Sequence, residues 1–151
     1  MIELEGSPML TREELRRAGT GIYDDWTALW NGGTELAGQI MAPLFTLRYA
    51  QANTEPFDEI RTPPQLADVI AAWRDKRGDL RFTAEGTPVV DLELLDGTLN
   101  GLVARPYLAV FTGDDGGEVA RSGTDTLRVE GGLITEVWSV SSGAAGRTFY
   151  R

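Results

Sequence analysis

Residues 123–140, GTDTLRVEGGLITEVWSV, place a carboxylate where core side chains are expected. The stretch reads as two strands joined by Gly131-Gly132. Alternation then puts Asp125, Leu127 and Val129 on one face and Thr126 and Arg128 on the other. A carboxyl group held among apolar side chains loses its hydration, and its pKa climbs above the ordinary ~3.9. It can then donate a hydrogen bond or exchange a proton near neutral pH. A cation beside it acts in the opposite sense. Arg105, in VARPY (103–107), is the partner that would hold Asp125 charged. The sign of the shift therefore separates an acid–base group from a structural ion pair. Arg105 also precedes Pro106, which removes a ladder donor, so this point of the strand is an edge or a bulge. Aimed into a pocket, Arg105 would hold a substrate anion or orient Asp125. On a solvated edge it would do neither.

Aromatic residues supply the walls. Tyr23, Trp26 and Trp30 share the first helix, and Tyr49 shares a strand face with Phe45 and Leu47. Such stripes form core, and around a cavity they also form the wall for a flat polycyclic ligand. Tyr107, Leu127, Val137 and Ser139 complete the expected lining. Glu136 and Trp138 alternate with Val137 and Ser139 and face the other way. With Ile134 and Val140 they make an apolar patch expected to join two copies of the chain as a homodimer. The acidic pairs Asp24-Asp25 and Asp114-Asp115 lack calcium-loop spacing. No bound metal and no organic cofactor are expected.

Composition narrows the chemistry. The chain has 151 residues, 42% of them apolar and 25% charged, and fits one domain with room for a pocket. It contains neither Cys nor His, which removes thiolate and imidazole chemistry and their metal sites. Catalysis would fall to Asp, Glu, Tyr, Lys, Arg or water. A net charge of −9 without a dense basic patch argues against nucleic acid. No apolar run is long enough to cross a membrane and no leader pattern opens the chain, so a cytoplasmic protein is expected.

The elements that must position these residues follow. Residues 1–10 read as a flexible lead-in, and 11–151 as one domain. Thr11 and Glu14 form a capping box that starts a helix carrying Leu15, Ala18, Ile22, Trp26 and Leu29 at helical spacing. Gly19 and Gly21 inside it mark a kink or a close approach by another backbone. A short helix is expected over 34–41, ending before Pro43, and a strand over 44–50. Thr62, Pro63 and Gln65 open another helix, which Gly78 ends. Strands follow at 80–86, 88–95, 100–112, 119–130 and 133–141, joined by short turns. Helices first and strands after predict an α+β fold. It would be a cone-shaped half-barrel, about three helices packed on a curved antiparallel sheet, with a cavity between the layers.

This order resembles the nuclear transport factor 2-like superfamily, which includes ketosteroid isomerases, limonene epoxide hydrolases and SnoaL-like polyketide cyclases. The terminal stretch is similar to the SnoaL-like run G-x-D-x-x-R-V-x-x-G-x-I-x-E-x-W-x-V. It matches at Gly123, Asp125, Arg128, Val129, Gly132, Ile134, Glu136, Trp138 and Val140. VARPY resembles the Arg-bearing strand of the same group. The resemblance implies that Asp125 stands where ketosteroid isomerases keep an oxyanion-hole Asp. Tyr49 stands near their general base, and Trp26 near their hydroxyl-donating Tyr. Ser139 occupies the place of a catalytic Asp, and Val137 that of a His frequent in the cyclases. It implies an enzyme of cyclase, isomerase or dehydratase type, with Asp125 and Arg105 as catalytic groups and a largely apolar substrate. The alternatives are a non-catalytic binding or scaffold protein of the same fold and an epoxide hydrolase-like enzyme. The last needs two carboxylates around its Arg, and VARPY supplies only the Arg.

Overall fold

The computed structural model describes residues 9–143 and 146–150; most of the expected lead-in lies outside them. The first helix, α1 (Arg12–Trp30), begins at the predicted box. The Glu14 N–H donates to Thr11 Oγ1 (3.0 Å) and the Thr11 N–H donates to Glu14 Oε1 (2.9 Å). Its C-terminus is tied to the sheet by Asn31. The Asn31 amide donates to the Phe82 carbonyl (2.8 Å) and its Oδ1 accepts from the Phe82 N–H (2.7 Å). One side chain thus imitates a strand neighbour and sets where the aromatic end of α1 lies.

A 3-10 turn (Thr34–Leu36) and a single helical turn, α2 (Ala37–Ile40), lead into strand β1 (Met41–Tyr49). The strand starts before Pro43, earlier than expected. β1 is a sheet edge, and its pairing register is broken between Met41 and Thr46, so the missing proline N–H interrupts no regular ladder. After a 3-10 segment (Glu55–Glu59), α3 (Pro63–Lys76) opens as predicted, with Gln65 Oε1 accepting from the Thr62 N–H (3.1 Å). The remaining strands are β2 (Arg81–Ala84), β3 (Val89–Leu95), β4 (Thr98–Thr112), β5 (Glu118–Glu130) and β6 (Leu133–Ser141).

The sheet order is β1-β6-β5-β4-β2, with β3 also on β4. The later strands are antiparallel, but β1 runs parallel to β6, so the sheet is mixed rather than wholly antiparallel. No hairpin links β1 to β6. Their relative direction is a product of tertiary packing that alternation does not encode. The three helices cover one face of the curved sheet. Trp26, Leu29, Leu66 and Ile70 pack there against Phe45, Leu47, Val103, Leu127, Val129 and Val137, all at most 3% exposed.

Two expectations about the sheet faces change. Ile134 is core rather than part of an outer patch, because Thr135 is an extra residue in β6: Arg128 pairs with Glu136 while Val129 pairs with Ile134. The bulge reverses the parity upstream of Glu136. On the outer face Glu136 is bridged by Arg48 and Arg128, and the Arg128 guanidinium lies 5.2 Å over the half-buried Trp138 ring. The surface there is an ion-paired cover with Val140 and Leu44 exposed beside it. Secondly, Pro106 makes no bulge. β4 and β5 keep register through Arg105–Asp125 and Pro106–Thr124. Pro106 is tolerated because β2 pairs with residues 107–110 and β3 with 98–104, leaving a gap in the ladder between them.

The glycines of α1 prove unlike each other. A Cβ at Gly19 would stand 2.6 Å from Val90 Cγ1 of β3, whereas one at Gly21 meets nothing. Gly21→Ala is therefore expected to raise stability by about 1 kcal/mol through helix propensity. Gly19→Ala is expected to lower it despite the same gain, because the Val90 isopropyl group and α1 must separate. Urea midpoints of the two variants check the opposite signs.

Candidate active site

One cross-strand row of the sheet carries the polar floor of the site. In register across β1, β6 and β5 stand Tyr49, Ser139 and Asp125. Neighbouring strands lie about 4.8 Å apart, so the row holds a phenol, a hydroxyl and a carboxyl within reach of one another. The next row toward the mouth pairs Tyr107 of β4 with Gly123 of β5 and Gly123 with Ser141 of β6. A Cβ at Gly123 would fall 2.3 Å from the Tyr107 hydroxyl, so the phenol lies over β5 only because position 123 has no side chain. That gives Gly123, matched in the terminal motif, a physical role.

α1 closes this floor from above. The Trp26 indole N–H donates to Asp125 Oδ2 (2.9 Å), a buried bond between residues 99 positions apart. The Tyr23 hydroxyl donates to the Arg105 carbonyl (3.0 Å). Between helices and sheet lies a cavity of about 520 Å³, within the range of small-molecule sites. Tyr23, Trp26, Trp30, Tyr49, Tyr107, Asp125 and Ser139 all line it, as expected. Leu127 and Val137 do not; each is fully buried in the core one step along its strand from the polar row.

Arg105 does not serve Asp125. Its Nε donates into the ladder gap, to the carbonyls of Glu85 (3.2 Å) and Gly86 (3.0 Å), and a terminal nitrogen lies 3.6 Å from Asp24. It stitches the β2–β3 connection to α1 outside the cavity. The expected orienting contact is absent because the gap beside Pro106 offers two carbonyls, and the Arg105 Nε–H is shared between them.

Asp125 is thus a carboxyl buried without a cation. Burial raises its pKa, with the Ser139 hydroxyl and the Trp26 N–H working against it, and the result is about 6. Its Oδ1 accepts no direct hydrogen bond. The Tyr49 and Tyr107 phenols are raised well above 10, first by burial and then by the nearby Asp125 charge, with the Ser139 hydroxyl opposing. The shift favours the protonated phenols, whose hydroxyls can donate hydrogen bonds. Two more cavity groups are orphaned, the Trp30 indole N–H and Gln51 Oε1. Buried polar atoms without partners are rare, and three around one cavity mark a place for a polar guest.

The wall contains residues not anticipated from the sequence. Phe57 stacks on Tyr49 at 4.4 Å, and Trp73 and Phe82 pack edge-on around Trp30. Ala109, Phe111 and Arg121 follow by parity from Tyr107 and Asp125, a signal present in the strands but not extended far enough. The contribution of residues 51–54 has no periodic signature. Among the described residues no cluster of His, Cys, Asp or Glu could hold a metal ion.

The raised Asp125 pKa sets a pH dependence of stability. Between the unfolded value of 3.8 and about 6, the folded chain holds a proton that the unfolded chain releases. Stability therefore falls as pH rises through this window, by about 3 kcal/mol if the whole shift is realised. Asp125→Asn is expected to be more stable than the wild type at pH 8, with the difference shrinking at pH 4. Denaturant midpoints at both values test this, and a pH-independent difference would contradict a buried, uncompensated carboxyl. Ser139→Ala and Trp26→Phe should each raise the Asp125 pKa further, read by carbon-13 NMR.

The architecture matches known structures. A SnoaL-like family protein from Agrobacterium tumefaciens, described as a candidate isomerase, superposes with a TM-score of 0.63 at 22% identity over 84% of this chain and 99% of its own. A candidate polyketide cyclase from Acidithiobacillus ferrooxidans gives 0.62 at 18% identity over 82% of this chain and 87% of its own. IdmH from Streptomyces antibioticus, also a candidate polyketide cyclase, gives 0.60 at 18% over 82% and 91%. No family model matches the chain, and no curated protein matches it. No helix among the described residues is long and apolar enough to cross a membrane. At these identities the likeness is one of fold, and the fold of this chain is the SnoaL-like, NTF2-like α+β half-barrel.

Proposed function

We propose that the cavity is the active site of an acid–base enzyme of cyclase or isomerase type, acting on a largely apolar, aromatic or polycyclic ketone. The observation that carries this reading is Asp125 Oδ1: a buried carboxyl oxygen at a cavity wall that accepts no full hydrogen bond, with the Ser139 hydroxyl nearby, on a group with a pKa of about 6. Above that pH the carboxylate is a base, in a site otherwise walled by aromatic rings.

The chemistry that fits is removal of a proton from carbon next to a carbonyl. Trp26 holds Oδ2, so Oδ1 is the oxygen available to take the proton. The electron pair of the broken C–H bond moves onto the carbonyl oxygen. The undissociated hydroxyls of Tyr49 and Tyr107 can donate to that oxygen as charge develops on it. In an isomerisation the carboxyl returns its proton to a different carbon. In a cyclisation the enolate carbon attacks a second carbonyl of the same molecule, and the proton passes to the alkoxide so formed. Either sequence leaves Asp125 as it began and needs no further reactant.

The test uses 2-tetralone, an aromatic ketone with exchangeable α-protons, in D2O with proton NMR as the readout. The wild type is expected to accelerate exchange, with a rate that rises through about pH 6. Asp125→Asn should lower the rate by about 100-fold or more while retaining ligand-induced quenching of tryptophan fluorescence. Exchange of equal rate in wild type and variant would overturn the assignment. Binding without any acceleration would instead favour the non-catalytic binding protein.

A further inference from the structure

The mouth of the cavity holds a second chemical signal. Along β5, Asp125 at the floor and Arg121 toward the mouth line the cavity, with Gly123 between them under the Tyr107 phenol. Arg77, the C-cap of α3, approaches from the helix layer. Both arginines lie near Phe111 of β4. The Arg77 guanidinium lies 4.3 Å from the centre of its ring and that of Arg121 lies 5.8 Å away. Neither forms an ion pair with a carboxylate among the described residues, although the chain carries a net charge of −9 and three other arginines are paired.

Stacking occupies the face of a guanidinium and leaves its in-plane N–H fork free. Two guanidinium groups beside one ring, both lining a cavity walled largely by aromatic side chains, offer N–H donors to an oxyanion. We infer that Arg77 and Arg121 form an anion anchor at the cavity mouth, and that the natural ligand is amphipathic: a flat apolar body ending in a carboxylate or phosphate. The strand sets the length. Arg121 stands four positions from Asp125, so at about 3.4 Å per position their Cα atoms lie on the order of 14 Å apart, and the anion sits well away from the polar floor. The inference rests on the cavity being a substrate site, but it does not depend on which step Asp125 performs.

The probes are 4-(2-naphthyl)butanoate, its methyl ester, and the phosphate monoester of 4-(2-naphthyl)butanol. Binding is followed by quenching of tryptophan fluorescence, since Trp26, Trp30 and Trp73 line the cavity. The wild type is expected to bind the two anions about ten-fold or more tightly than the ester, with the preference reduced at high salt. Arg77→Gln and Arg121→Gln should each lower anion affinity toward that of the ester and leave ester affinity unchanged, which also shows that the variants are folded. A tighter carboxylate points to a carboxylic acid ligand and a tighter phosphate to a phosphate monoester; both support the anchor. Equal binding of acid and ester by the wild type, or a preference that survives both substitutions, overturns it while leaving the cavity reading intact. Failure of all three probes to bind overturns both.

Discussion

The arrangement depends on a buried carboxyl that has one hydrogen bond where it has capacity for several. The Trp26 N–H satisfies Asp125 Oδ2 and nothing satisfies Oδ1. That single bond docks α1 over β5, fixes the indole as the cavity ceiling and leaves one oxygen available. Removing either partner would strand a polar group in a nearly dry interior, which costs about 1–3 kcal/mol. The surrounding features serve the same constraint. Asn31 anchors the end of α1 to β2, Tyr23 ties its middle to β4, and Arg105 fills the sheet gap so that β4 can continue past Pro106.

The carboxyl also shows a conflict between folding and chemistry. A folded chain is most stable with Asp125 protonated, whereas a base must be ionised. Ser139 and Trp26 resolve this in part. They favour the charged form, so that burial raises the pKa to about 6 and no further. At neutral pH the group is mostly ionised yet remains basic enough to accept a proton. The tyrosines move the opposite way for the same reason. Low polarity and the neighbouring negative charge both oppose their ionisation, so they stay donors.

Much of the fold was legible locally. The boxes at Thr11-Glu14 and Thr62-Gln65 act within one helical turn, and the glycine turns delimit strands within two or three residues. Face parity from Asp125 and Ser139 located the floor, because β5 and β6 are regular from Asp125 to Arg128 and from Glu136 to Ser141. What failed depends on contacts distant in the chain. The Thr135 bulge moved Ile134 into the core, the parallel pairing of β1 has no local signature, and Leu127 and Val137 lie too deep to reach the cavity. The Arg105 side chain was expected to hold a substrate anion or orient Asp125. Its actual partners are carbonyls freed by a gap between two other strands, which no spacing within VARPY reveals.

The same distinction explains the mouth. Arg121 shares parity with Asp125 along one strand, but its significance arises only when the end of α3 brings Arg77 to the same Phe111 ring. Along the cavity the chemistry then changes in an ordered way, from a titratable carboxyl with phenols, through aromatic walls, to two arginines that form no ion pair among the described residues. The floor carries a carboxyl with a pKa of about 6, and the mouth carries two guanidinium groups. On the proposed function, a ligand with a carbonyl at one end and an anion at the other is drawn in one orientation, because the reverse would set its anion against Asp125 in a poorly screened interior. The apolar middle contributes burial but no direction. Orientation comes from the ends, and the length of β5 between Asp125 and Arg121 sets how far apart they are.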